Sequence, residues 1–355
     1  RVFYPTQGQG MLLPVMAVLL LASRSPKFNP RYLMLVSPAY LLLLAGGIAA
    51  LISAPFAGTG RRAGARLAAG TLLVALVVVS AIGLRNWFTD PAFTKAQWRE
   101  LAAHVAAERA PDEAVLLVSG HAYPAWRYYA PDIPAVRLPH IAILDVQAVL
   151  GFQTGAALAE GLAGKSGAWL VQWQAEVVDP AGFVPYFLDR AGQERPVDRR
   201  FWHLGLRRWQ LDPAATFPAE PQPQHADGAN FDHKLALLGW DNPQVGEQGA
   251  MLTLYWRVLN TLTEDYQLSL VVEDAAGQEL GRWDGRPAGY DYPTNRWQVG
   301  QALFGGVPLP VGRDGPVYVT VAVYDRADPS GLDIRDVADN PAGKRVRLGP
   351  IVLTQ

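Results

Sequence analysis

The sequence predicts a multi-domain protein in which transmembrane α-helices precede a small α/β domain and then an antiparallel all-β sandwich. The 355 residues carry a formal net charge of −1, but the charge is unevenly placed. Residues 1–89 contain eight Lys and Arg and no Asp or Glu, whereas all 32 Asp and Glu lie from Asp90 onward. Beyond that point helix-like and strand-like patterns alternate before strands take over. A single uniform globule is therefore excluded.

Residues 1–89 are predicted to be a transmembrane region of about three helices. Residues 32–60 and 67–84 lack charged side chains, and a bilayer core of about 30 Å needs about 20 apolar helical residues. Residues 10–22 form a third, shorter apolar run. Because the chain enters apolar sequence directly after Arg1, we expect the region to be the C-terminal end of a polytopic domain. Buried helices of a large soluble protein are the alternative, which the lack of periodic polar faces disfavours.

The basic residues of this region do not fix its orientation. The segments 24–31 and 59–66 carry three basic residues each, so the positive-inside rule gives a tie. One of the two basic loops must face away from the cytoplasm. An anionic lipid ligand would explain a basic loop on that side.

Residues 90–211 are predicted to form a small α/β domain. Amphipathic helical patterns alternate here with short apolar runs typical of buried strands, and this alternation favours a layered α/β arrangement. The next segment, 212–229, is rich in Pro, Ala and Gln and is predicted to be a semi-extended linker. Helices are expected at 95–110, 158–164 and 183–190, and strands at 114–119, 168–174 and 201–211.

Residues 230–355 are predicted to form an antiparallel, immunoglobulin-like β-sandwich of about seven strands. Alternating and β-branched runs recur at intervals of 8–15 residues and are separated by turns, without a convincing helix. Such spacing is typical of a β-sandwich. Strands are expected at 251–258, 266–273, 279–283, 317–324, 345–348 and 351–354.

Composition excludes several kinds of site. The absence of Cys excludes disulfides, thiolate metal sites and a Cys nucleophile. The six His show no metal-ligand spacing. The net charge of −9 beyond residue 89 argues against a nucleic-acid partner. No cofactor pattern is evident, and a divalent cation stays an open alternative.

Two motifs imitate ligand sites. Gly161–Ser166 (GLAGKS) resembles the end of a phosphate-binding loop, but Ala159 occupies the position of the first Gly and a helical pattern precedes the motif. We interpret it as a decoy. Carboxylates that could ligate calcium gather near one loop, although their spacing matches no calcium loop; solvated turn carboxylates are the alternative. These are Asp325, Asp328, Asp333, Asp336 and Asp339.

Several short motifs resemble one membrane family. Residues 30–33 (PRYL) open a long apolar helix containing Pro38, a basic loop precedes it, and one further apolar run follows. The next helix begins with a W-x-E-L-A pattern at Trp98. This order resembles the protein O-mannosyltransferase-like glycosyltransferases of the GT-C type, which include the aminoarabinose transferases that modify lipid A. Residues 285–300 and the surrounding sandwich resemble accessory β-domains fused to such enzymes.

The resemblance implies that the chain is the C-terminal portion of an integral membrane glycosyltransferase. Such an enzyme moves a sugar from a polyprenyl-phosphate carrier to an extracytoplasmic glycan or protein acceptor, with 90–355 outside the cell (inner) membrane. Its chemistry needs a carboxylate base and cations for the leaving phosphate. Arg31, Lys27 and Arg24 are the candidate cations; snorkelling at the membrane interface is the alternative for Arg31. In the family the catalytic acid lies in an early loop, so we expect no catalytic residue in this chain.

An aromatic segment follows the predicted strand 114–119, where ligand-binding residues concentrate in α/β layers. Its aromatic side chains could stack on sugars and its Arg could pair with phosphate; packing of this turn against the membrane region is the alternative. The candidates are His121, Tyr123, Trp126, Arg127, Tyr128 and Tyr129.

Aromatic residues in and beside turns of the sandwich are candidates for glycan binding, with core packing as the alternative. They are Trp283, Tyr290, Tyr292 and Trp297. A non-enzymatic, membrane-anchored envelope protein whose sandwich binds glycans or proteins is therefore the second functional hypothesis. It shares the topology of the first.

Overall fold

The computed structural model describes Met16, Leu19, Leu20, Ser23, Met34 and residues 37–53, 59–90, 93–246, 249–288, 292–310 and 316–352. The chain divides into two compact units, Arg1–Thr94 and Lys95–Gln355.

The first unit contains two apolar helices that contact each other, α1 (Ser37–Ser53) and α2 (Thr59–Thr89). Of the 31 residues of α2 only Ala69 is buried. Within the described ranges, α2 is the one helix long and apolar enough to cross a membrane, while α1 is apolar but has 17 residues. The described chain thus supports one of the roughly three predicted spans. The third run, 10–22, lies almost wholly outside the described residues.

The second unit begins with a five-stranded sheet in the order β2-β1-β3-β5-β4. Strands β1, β2 and β3 are parallel, whereas β5 is antiparallel to both β3 and β4. Every residue of β1 is buried, as expected for a parallel strand covered on both faces. The strands are β1 (Glu113–Val118), β2 (Ala135–Leu138), β3 (Gly167–Gln172), β4 (Gly192–Arg195) and β5 (Gly205–Leu211).

Helices cover both faces of this sheet, so the predicted helix-and-strand layering is confirmed. On one face, Leu101 and Trp126 pack against Trp169 of β3. On the other, Leu158 and Phe187 pack against Leu170. The helices are α3 (Trp98–Glu108), α4 (Tyr123–Tyr129), α5 (Thr154–Gly161), α6 (Ala175–Val178) and α7 (Phe183–Ala191).

Two antiparallel sheets follow, in the orders β10-β9-β12-β14 and β11-β8-β7-β6-β13. Leu254, Leu270 and Val321 from both sheets share one buried core, which makes the pair a sandwich. The described chain forms nine strands here rather than about seven, and the runs predicted at 345–348 and 351–354 belong to the single strand β14. The strands are β6 (Ala229–Phe231), β7 (Leu235–Gly246), β8 (Gly249–Val258), β9 (Gln267–Glu273), β10 (Glu279–Gly285), β11 (Ala302–Leu309), β12 (Pro316–Tyr324), β13 (Ile334–Arg335) and β14 (Val346–Val352).

The predicted linker lies against both layers of the second unit. The ring of Phe217 is 6.4 Å from that of Phe187 on α7. Further along, His225 stacks on Trp240 of β7 at 3.8 Å. Tyr255 of β8 is buried in the core of the α/β layer. The Pro-rich segment and the sandwich are therefore packed onto the α/β layer.

Candidate functional site at the carboxyl edge of the parallel strands

The three parallel strands end at one edge of the sheet, at Val118, Leu138 and Gln172. The chain passes from β1 to β2 on one side and then crosses to β3 on the other side of β1. In open α/β sheets, ligands bind outside the carboxyl ends of strands at such a reversal of direction. This edge of the sheet is therefore a candidate binding site.

The residues that follow β1 and β3 meet at this edge. The hydroxyl of Ser119 lies 2.9 Å from His121 Nδ1, and the imidazole stacks on Trp173 with ring centres 5.1 Å apart. Ser119 is fully buried, so its hydroxyl cannot reach a substrate as a nucleophile would. The pair orients the imidazole and joins the ends of two strands.

The end of β1 also passes very close to the segment after β2. A Cβ added to Gly120 would lie 1.9 Å from the carbonyl oxygen of Pro139. Glycine is thus required for this approach, which brings the helix α4 that follows β1 beside the end of β2.

A cleft with a volume of about 540 Å³ opens beside these two strand ends. The guanidinium of Arg137 lies 4.9 Å from the ring centre of Tyr123, while His140 and Glu160 are exposed. We call this the carboxyl-edge cleft. Its lining is Tyr123, Ala135, Val136, Arg137, His140, Ala157, Glu160 and Gly161.

The chemistry of the carboxyl-edge cleft suits a polar, hydroxyl-rich ligand. Arg137 and His140 offer N–H donors, Glu160 offers an acceptor, and the Tyr123 hydroxyl can act as either. Pockets that bind small molecules usually have volumes of roughly 300–1,000 Å³ and a few convergent polar groups. The cleft can therefore bind and orient a ligand.

The structure separates the predicted aromatic segment into three parts. His121 and Tyr123 lie at the carboxyl edge. Trp126 is fully buried and donates its indole N–H to the carbonyl oxygen of Ile133 at 2.9 Å; it is a core residue with no face open to a ligand. Arg127, Tyr128 and Tyr129 are exposed on α4, outside the lining of the cleft.

Two of the three described candidates for glycan binding are core residues. Tyr292 is 1% exposed and Trp297 is 5% exposed, and the indole N–H of Trp297 donates to the carbonyl oxygen of Tyr292 at 3.2 Å. Trp283 is partly buried and packs against the sandwich core. Tyr290 lies outside the described residues. Among the described members of this set, only Trp283 offers a partly open face.

The three candidate phosphate ligands, Arg31, Lys27 and Arg24, also lie outside the described residues. The segment Gly161–Ser166, which imitates a phosphate-binding loop, lies within the described residues. Its amides at Lys165 and Ser166 donate to the carbonyl oxygens of Leu162 and Asp112, at 3.0 and 3.2 Å. Since these N–H groups are used within the fold, they are not free to cradle a phosphate.

The acidic set in the sandwich consists of turn carboxylates. Asp336 accepts from the amides of Ala338 and Asn340, both at 2.8 Å, and Asp328 accepts from that of Ser330 at 3.0 Å. Across the described ranges, no group of three or more His, Asp or Glu could hold a metal ion.

Sequence reasoning found His121 and Tyr123 but missed Arg137, His140 and Glu160. Strand β2 has only four residues and lies between Pro134 and Pro139, so its pattern was too short to indicate a strand. If β2 had been predicted as a strand parallel to β1, Arg137 and His140 at its end would have been expected at the same edge of the sheet as His121.

Comparison with known proteins gives no family for the chain. No protein-family model matches it, and no curated protein matches it.

Proposed function

We propose that this chain is the C-terminal portion of an integral membrane glycosyltransferase that transfers a sugar from a polyprenyl-phosphate donor to an extracytoplasmic acceptor. In this proposal α2 lies in the cell (inner) membrane and residues 95–355 lie outside the cytoplasm. The observation that carries the proposal is the order of parts: a helix of spanning length leads into an α/β layer whose carboxyl-edge cleft suits a sugar.

The surface of α2 supports its place in a bilayer. Residues 67–84 contain no charged side chain, and their helix is about 27 Å long at 1.5 Å per residue. Leu67, Val79 and Leu84 are each more than half exposed. Since burying such a side chain is worth about 1.5–3 kcal/mol, lipid around α2 stabilises it strongly relative to water.

The carboxyl-edge cleft supports a role in holding the acceptor or the transferred sugar. The hydroxyls of a sugar ring can bond to Arg137 and Glu160, beside the Tyr123 ring on which the Arg137 guanidinium lies. Orientation of this kind raises the rate of a transfer reaction without any covalent role for the cleft. The cleft is thus proposed as a positioning site.

The transfer step itself needs groups that this chain supplies only in part. The acceptor hydroxyl attacks the anomeric carbon of the sugar, and the bond between that carbon and the phosphate oxygen of the carrier breaks. The proton of the acceptor hydroxyl passes to a carboxylate base. Residues 1–89 contain no carboxylate, so that base is not in this segment. Arg31, Lys27 and Arg24 are proposed to hold the departing polyprenyl phosphate.

The test removes one phosphate ligand at a time in the parent protein. Arg31→Ala should raise the apparent KM for a polyprenyl-phosphate-linked hexose or pentose about tenfold, as for loss of one charged contact, with little change in kcat. Arg61→Ala, which removes the same charge from the other basic segment, is the matched control and should leave KM unchanged. Equal KM values in both variants would remove Arg31 from the site.

The partly open face of Trp283 on the sandwich favours a second candidate, a non-enzymatic membrane-anchored envelope protein whose sandwich binds glycans or proteins. This candidate predicts binding without turnover. A glycan array probed with the full chain in lipid nanodiscs would show binding that Trp283→Ala abolishes. Sugar transfer by the same preparation would exclude it.

A further inference from the structure

Two exposed aromatic groups flank the first turn of α3, at the start of the second unit. On one side, the amide of Gln97 donates to the carbonyl oxygen of Trp202 at 3.2 Å, and the amide of Trp202 donates to Gln97 Oε1 at 2.8 Å. On the other side, the guanidinium of Arg99 lies 5.9 Å from the ring centre of Tyr129. Gln97 is the residue that precedes the helix, Arg99 lies in its first turn, and Trp98 between them is buried.

Trp202 is presented at the tip of a tight turn. Phe201 and Leu204 are buried, and the amide of Leu204 donates to the carbonyl oxygen of Phe201 at 3.2 Å. Trp202 is nevertheless 41% exposed, and His203 has a φ of 59°, which is uncommon for a residue other than glycine. The fold thus holds a large, partly exposed aromatic ring on a tight turn.

The second aromatic group is equally fixed. Tyr128 is 78% exposed, and its ring meets that of Tyr129 edge to face at 4.9 Å. The buried indole of Trp126 anchors their helix, α4, in the core. Exposed Tyr rings on a rigid helix, with an apolar body and a polar tip, suit the boundary between water and lipid.

Basic side chains accompany both aromatic groups. Arg199 lies 5.3 Å from the ring centre of Phe201, and Arg199, Arg200 and Arg99 are exposed. The nearest acidic residues along the chain are Asp198 and Glu100, also exposed. These three Arg and two carboxylates leave an excess of one positive charge. Residues 90–355 as a whole carry a net charge of −9.

We propose that these residues form a membrane-resting surface that contacts anionic phospholipid headgroups. We call it the aromatic–basic collar: Arg99, Tyr128, Tyr129, Arg199, Arg200 and Trp202. Trp and Tyr side chains are enriched at the headgroup level of a bilayer, and an anionic membrane surface attracts Arg side chains that lie near it.

This inference rests on the proposed insertion of α2 in a membrane. From Thr89, the last residue of α2, to Gln97 the chain advances eight residues, which can extend over at most about 28 Å. Gln97 is bonded to Trp202, so the covalent chain itself keeps Trp202 within reach of the bilayer into which α2 is inserted.

The absence of Cys from the chain permits a direct test with single-cysteine spin labels. The full chain is reconstituted in vesicles of phosphatidylcholine and phosphatidylglycerol at a ratio of three to one. Labels are placed by Trp202→Cys and Tyr128→Cys in the collar, by Val337→Cys as a control in the sandwich, and by Val78→Cys in α2. Accessibility of each label to oxygen and to a water-soluble nickel chelate reports its depth.

We expect the ratio of oxygen to nickel accessibility at 202 and 128 to be several-fold higher than at the fully exposed Val337 and lower than at Val78. Arg199→Gln with Arg200→Gln, or vesicles of phosphatidylcholine alone, should lower the ratio at 128. High salt should do the same, since 1 M salt shortens the Debye length to about 3 Å.

The possible results separate the two proposals. A lipid-like label at 78 with water-like labels at 202 and 128 overturns the collar and leaves the membrane position of α2 intact. Labels at 202 and 128 that are closed to both oxygen and nickel indicate a protein partner and overturn the collar as well. A water-like label at 78 overturns the membrane position of α2, and the collar with it.

Discussion

Asp241 on β7 accepts a hydrogen bond from Arg190 Nη2 on α7, which joins the β-sandwich to the α/β layer through an ion pair. The Asp241 side chain is 6% exposed and that of Arg190 is 36% exposed. The Tyr255 hydroxyl also donates to this carboxylate, as does the amide of Gln224 at 2.8 Å. Burial and hydrogen bonds with Asp241 and Tyr186 raise the pKa of Tyr255, so its phenol stays protonated as a donor.

Arg190→Ala should lower the free energy of unfolding of the second unit by about 1–3 kcal/mol, because it leaves the buried Asp241 without its charged partner. The partial exposure of Arg190 keeps the loss below that of a fully buried pair. A urea titration of the full chain, followed by tryptophan fluorescence, measures the change. The double variant Arg190→Ala with Asp241→Asn should lose less than the sum of the single losses.

Arg282→Ala is the matched control for this ion pair. Arg282 pairs with Glu279 at 3.2 Å, but both side chains are about half exposed. Exposed pairs of this kind contribute little to stability, because water and salt screen them. Equal losses for Arg190→Ala and Arg282→Ala would show that the pair with Asp241 does not stabilise the junction between the layers.

Local sequence patterns predicted the strands whose residues alternate between apolar and polar and the helices whose apolar residues share one face. The alternation at 251–258 became β8, and the amphipathic run at 183–190 became α7 (Phe183–Ala191). Strands β7 and β11 were missed because Gly and Pro interrupt them, for instance at Gly239 and at Gly305. In both cases the glycine permits a close approach of backbone that no local pattern encodes.

The candidate site was predictable only where it is local. His121 and Tyr123 follow β1 in sequence, so the position of the strand located them. Arg137 and Glu160 reach the same cleft from other elements, and only the strand order determines that meeting. The pair of Arg190 and Asp241, 51 residues apart, likewise leaves no pattern in the sequence.

A buried carboxylate should give the second unit an unusual dependence on pH. Asp179 accepts from the amides of Phe183 at 2.6 Å and Val184 at 3.0 Å, at the start of α7. These N–H groups lower the pKa of Asp179, but burial outweighs them and raises it from 3.8 to about 6. The unfolded chain therefore releases this proton at a lower pH than the folded chain. The contribution of Asp179 to stability is present at low pH and is lost as the pH rises from about 4 to 6.

Asp179→Asn isolates this contribution from the other carboxylates. The amide of Asn does not titrate. The unfolding free energy of the native protein minus that of the variant should therefore decrease as the pH rises from about 4 to 6. Urea titrations at several pH values in the full chain measure this difference. A difference that is constant or grows over this interval would contradict the raised pKa of Asp179.

Two adjacent glycines of β11 should respond oppositely to the same substitution. A Cβ on Gly305 would lie 1.8 Å from the carbonyl oxygen of Pro287, which is rigid backbone. A Cβ on Gly306 would meet only Met251 Cε, the flexible end of a side chain, at 3.3 Å. Gly305→Ala should therefore lower the unfolding free energy by about 1–3 kcal/mol or more, as overpacking does.

Gly306→Ala is the internal control, since it adds the same methyl group one residue further along the same strand. It should be neutral or stabilise the unit by up to about 1 kcal/mol, because alanine restricts the unfolded chain more than glycine does. Urea midpoints of the two variants give the comparison directly. If Gly305→Ala is as stable as Gly306→Ala, the backbone at Pro287 does not pack against β11 at Gly305.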